Sequence, residues 1–83
     1  MIKVVLFASL REDLGVSEVE VTPAGIGSVA DLIEGLSQRF GEIWRETLMA
    51  ENVLVAINQN MVKNEISVSD GDEVAFFPPV TGG

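Results

Sequence analysis

The chain has 83 residues, neither cysteine nor histidine, and a formal net charge of −8 from 13 acidic and 5 basic side chains. That length holds one domain with a small core, and the missing residue types exclude disulfides, thiolate metal sites, a cysteine nucleophile and a histidine acid or base. Acid–base catalysis would need a strongly perturbed Glu, Asp or Lys, while the acidic balance disfavours nucleic acid and favours a basic protein surface as partner.

Ile2 to Phe7 is rich in β-branched and aromatic residues and predicts a first strand beginning near Met1. Ile2, Val4 and Leu6 form one face; Lys3, Val5 and Phe7 form the other, wetter one. The run is too short to span a bilayer and lacks the leader of a secretory signal, so the expected location is cytoplasmic, without membrane contact. A short polar or helical passage, Ser9 to Leu14, reaches Gly15, and the alternation of Ser17 to Thr22 predicts a half-exposed second strand paired to the first as a hairpin. Pro23 to Gly27 reads as a loop. Gly25 and Gly27 flank a single residue there, too little for a phosphate cradle.

Ser28 is placed to cap the main helix, with Asp31 completing a capping-box-like start. Val29, Leu32, Ile33, Leu36 and Phe40 recur as one apolar stripe, and Gly41 is placed to end it. Glu42 to Met49 predicts a shorter helix returning Ile43, Trp44 and Leu48 to the core. A third strand is expected over Val53 to Ile57, a turn at Asn58-Gln59-Asn60, a strand fragment at Met61 and Val62, a turn at Ser69 to Asp72, and a last strand from Glu73 to Phe77. The acidic run Asp70 to Glu73 lacks the ligand spacing of a calcium loop, so no metal is expected.

One amphipathic helix laid on one face of a mixed sheet in this order is the α+β arrangement called β-grasp, or ubiquitin-like. It would place the first and last strands side by side and parallel. Val74 and Phe76 then point inward, and Ala75 and Phe77 point away from the helix, where Phe7 would join Phe77 as an exposed aromatic pair. The expected division is a β-grasp domain over 1–77 and an extended C-terminal tail over 78–83.

The tail reads Pro78-Pro79-Val80-Thr81-Gly82-Gly83. The prolines end the sheet and stiffen the exit. Six residues extend to about 20 Å, and the two glycines offer a terminus slim enough to thread a channel. A terminal carboxylate is a poor electrophile and a weak nucleophile. Converted to an acyl-adenylate, the Gly83 carbonyl would accept sulfur or an amine, and a chain without cysteine has nowhere else to carry sulfur.

The closing stretch DGDEVAFFPPVTGG (70–83), with VVLFASLRE near the start and VAINQN in the middle, resembles the small, sulfur-carrier subunits of molybdopterin synthases, within the ubiquitin-like β-grasp sulfur carriers. The resemblance runs over nearly the whole chain and is most specific at the two ends. It implies that an activating enzyme adenylates Gly83 with ATP, that a sulfur donor makes the thiocarboxylate, and that the tail enters the large subunit. There sulfur passes to cyclic pyranopterin monophosphate, with the catalytic side chains supplied by the large subunit and no cofactor held by this chain. It further implies a heterotetramer and a partner surface at Phe7, Arg11, Met61 and Phe77, Met61 standing where a leucine is expected. Carriers for thiamine thiazole or tRNA thiolation, a ubiquitin-like modifier, and a plain binding module with an inert tail remain alternatives.

Overall fold

The computed structural model describes residues 1–63 and 66–78. Its elements run β1 (Ile2–Leu6), α1 (Ser9–Leu14), β2 (Glu18–Val21), α2 (Val29–Phe40), α3 (Glu42–Leu48), β3 (Leu54–Ile57), β4 (Asn60–Val62) and β5 (Glu73–Phe77). The strands form one sheet in the order β2-β1-β5-β3-β4. β1 and β5 are parallel neighbours at its centre, with Val4 opposite Val74 and Leu6 opposite Phe76; every other pairing is antiparallel. This is the expected β-grasp arrangement, with three helices.

Strand alternation sends one set of side chains under the helices. Ile2, Val4, Leu6, Val55, Val74 and Phe76 are buried there against Val29, Leu32, Ile33 and Leu36 of α2. α2 starts as its residues dictate: Ser28 is extended, and its hydroxyl accepts the Asp31 N–H at 3.1 Å. The reciprocal half of the capping box is shifted by one residue, since the Asp31 carboxylate accepts from the N–H of Gly27.

Two residues depart from the expected core. Phe40 lies at the last position of α2 and is half exposed. Gly41, at φ 123°, turns the chain into α3 at that point, so the apolar stripe outruns the core and Phe40 stacks on Trp44 instead, beneath the Arg39 guanidinium. Ile43 is exposed, because the buried side of α3 is taken by Trp44 and Leu48, four residues apart. The two helices are clamped by Arg45, which pairs with both Glu34 and Glu42. The hydrogen bond from Arg45 holds the Glu34 carboxyl below its ordinary range.

At the opposite end of the sheet from the tail, Asn58 and Gln59 both take positive φ, as a two-residue hairpin turn requires. The Asn58 amide donates to Asp72 at 3.0 Å and accepts from the N–H of Glu73 at 3.0 Å. Asp72 also accepts from the N–H of Ser69, and Asp70 pairs with the amino terminus. The acidic run before β5 therefore organises a turn, with its carboxylates spent on the protein's own donors.

Candidate functional site

The side chains left on the face of the sheet away from the helices define the site. Register fixes them in rows across the strands. Phe7 follows β1, with its N–H bonded to the Phe76 carbonyl at 3.2 Å, and its ring lies 4.7 Å from that of Phe77, tilted by 5°. Leu54 of β3 stands opposite Phe77. The next row runs Glu18, Val5, Ala75, Ala56, Met61. Beyond it Lys3 is held between Glu18 at 3.3 Å and Glu73 at 3.8 Å, and the hydrogen bond that its ammonium donates to Glu18 raises its pKa.

Phe7, Leu54 and Met61 are 42%, 40% and 59% exposed, and Phe77 is half-buried. A cluster of this kind spanning four strands, rather than scattered apolar residues, marks a surface built to be covered. Three of the four residues expected at a partner surface, Phe7, Met61 and Phe77, share this face. Arg11 stands apart: it is exposed on α1, which is anchored by Leu10, and none of the described contacts joins its guanidinium to the aromatic pair. The structure adds Leu54, which no sequence signal had singled out.

Pro78 follows Phe77 at the edge of the aromatic pair, so the chain leaves the sheet beside the apolar face. The sites expected at Pro79, Val80, Thr81, Gly82 and Gly83 lie outside the described residues.

Ala8 makes the turn from the aromatic pair into α1. At φ 51° and ψ −127° it occupies the first central position of a II′ turn closed by the Leu10 N–H on the Phe7 carbonyl at 3.1 Å. Asn58 and Gln59 share a positive φ, but Ala8 alone sits in a II′ position that strongly favours glycine, at a cost of about 1–3 kcal/mol. Ala8→Gly is therefore expected to raise stability by about 1 kcal/mol, seen as a higher melting temperature. A lower one would show that the turn carries no strain.

The mixed five-stranded sheet with helices on one face defines the class: a ubiquitin-like β-grasp protein. The family model described as the ThiS family matches residues 4–83, and the chain belongs to that family. It is 41% identical to the "Molybdopterin synthase sulfur carrier subunit" of Haemophilus influenzae and 42% identical to that of Escherichia coli, in each case over 83 residues covering 100% of both chains. Among solved structures it is similar to SAMP1 from Haloferax volcanii, with a TM-score of 0.81 and 28% identity over 99% of this chain and 98% of that one.

Proposed function

We propose that this chain is the sulfur-carrier subunit of a molybdopterin synthase, delivering sulfur from a thiocarboxylate at Gly83. The observation that carries the reading is full-length similarity to two curated carriers, reinforced by the apolar face at the tail's root. The chemistry follows from the carboxylate. Attack of the Gly83 carboxylate oxygen on the α-phosphorus of ATP, on an activating enzyme, releases pyrophosphate and gives an acyl-adenylate. Sulfide-level sulfur from a donor then attacks the acyl carbon, the C–S bond forming as the C–O bond to AMP breaks, and loss of the sulfur's proton leaves the thiocarboxylate.

On the large subunit the carrier contributes the nucleophilic thiocarboxylate sulfur and the arm that delivers it, and the large subunit contributes the catalytic side chains and the cyclic pyranopterin monophosphate. The exposed face holds the two subunits together in a heterotetramer while the arm reaches inward. The chain itself binds no cofactor, and it works in the cytoplasm. Among the described residues no helix is long and apolar enough to cross a membrane.

A second reading, a modifier forming isopeptide bonds to lysines, is favoured by the likeness to SAMP1, a small archaeal modifier protein. Intact mass separates the two. Coexpression with the activating enzyme and sulfur donor should add about 16 Da as a carboxylate oxygen becomes sulfur. Adducts of the whole chain on lysines, with no such gain, would establish the modifier instead.

A further inference from the structure

An activated acyl group can be taken by any amine within its reach, and this chain carries few. Its five basic side chains are three arginines and two lysines, Lys3 and Lys63, to which the amino terminus adds a third amine. Guanidinium groups stay protonated and do not compete. Two of the three amines are engaged: the amino terminus pairs with Asp70, and Lys3 is held between Glu18 and Glu73. Lys3 stands opposite Glu73, about 13 Å back along β5 from the root of the tail, and the amino terminus lies farther back still. Lys63 differs on both counts. It is exposed, and among the described residues its ammonium has no ion pair or hydrogen bond. It follows β4, where Val62 stands opposite Val55, so the next position of the ladder brings Lys63 alongside Leu54, the partner of Phe77. Lys63 is therefore two strand spacings, about 10 Å, from the residue at which the tail departs. The six residues beyond Phe77 extend to about 20 Å, enough to bring the Gly83 carbonyl back to it.

From this arrangement we propose that Lys63 is an acceptor for the activated Gly83 carbonyl, forming an isopeptide bond when the acyl-adenylate has been made and no sulfur arrives. The proposal rests on the carrier reading for the adenylate. The neutral Lys63 Nζ attacks the Gly83 carbonyl carbon, the C–N bond forming as the C–O bond to AMP breaks with its electron pair leaving on AMP, and a proton passes from nitrogen to water. No further reactant is needed. The tail of a second copy could bring the same acyl carbon, but proximity gives the chain's own tail the higher effective concentration. Sulfur loading and self-capture then compete for one carbonyl, and capture retires the chain as a carrier.

The test uses the full chain with its activating enzyme, ATP and no sulfur donor. Intact mass should fall by about 18 Da, the water lost on forming an amide, and tandem mass spectrometry of a digest should place the new bond between Gly83 and Lys63. A product of two chains less about 18 Da, joined at the same lysine, assigns the tail to a second copy and still supports the acceptor. Unchanged mass, or a bond to Lys3 or the amino terminus, overturns it. Lys63→Arg should reduce the adduct at least about tenfold, and an undiminished adduct in that variant also overturns the proposal. A second measurement needs no enzyme: limiting N-hydroxysuccinimidyl acetate should acetylate Lys63 before Lys3, and the reverse order contradicts the guarding of Lys3 by its two carboxylates. Adding the sulfur donor separates the two possible failures. If the chain then gains about 16 Da yet forms no adduct without the donor, self-capture alone is wrong. If neither product appears, the carrier reading fails as well.

Discussion

Deleting Gly82 and Gly83 is expected to abolish sulfur transfer and to leave the melting temperature nearly unchanged. The two outcomes separate because core and chemistry occupy different parts of the chain. Every buried hydrophobic side chain among the described residues lies between Ile2 and Phe76, so shortening the arm removes none of the apolar contacts that hold the fold. Substitutions away from such contacts shift stability by about 0.5 kcal/mol or less. The reaction, in contrast, requires a carbonyl at the end of an arm of fixed reach. Two residues fewer withdraw that carbonyl by about 7 Å, and reacting atoms must come within about 3.5 Å of each other. The truncated chain should still bind the large subunit through its sheet face. A truncated chain that unfolds would show that the tail is structural.

Phe77→Asp is expected to weaken binding to the large subunit by about 30-fold or more, equivalent to about 2 kcal/mol, with a smaller loss of stability. In the free chain the ring is half-buried and stacked on Phe7. Its removal forfeits that aromatic pair, worth about 0.5–1.5 kcal/mol beyond its area, while the new carboxylate remains in water. In the complex that carboxylate would be covered by an apolar surface with no partner, and the desolvation is added to the lost contact. A titration run beside a thermal melt distinguishes the two. Affinity that declines only in step with the folded fraction would mean that Phe77 supports the fold and not the interface.

The first and last strands were the most legible. In β1 and β5 a charged residue at one position, Lys3 or Glu73, pins the face of every other residue by alternation, so the outward pair Phe7 and Phe77 could be foreseen and is found stacked. In β3 that anchor is missing. Val53 to Ile57 is apolar throughout, and nothing local says which side faces water. Only the pairing of Leu54 with Phe77 and of Ala56 with Ala75 settles it, which is why Leu54 emerged from the structure alone. Phe40 shows the converse failure. Helical spacing continued the stripe correctly, but spacing does not reveal where the sheet beneath the helix runs out. Ala8 carried no signal at all, since a glycine in a II′ turn is legible and an alanine forced into the same position is not.

Sulfur is expected to leave from the Gly83 carbonyl carbon of this chain. Purified thiocarboxylated chain should be mixed with the large subunit and cyclic pyranopterin monophosphate, and its intact mass followed over a single turnover. The chain should lose about 16 Da, thiocarboxylate returning to carboxylate, in step with the appearance of sulfur in the pterin product. A pterin product that gains sulfur while the mass of this chain stays constant would contradict it.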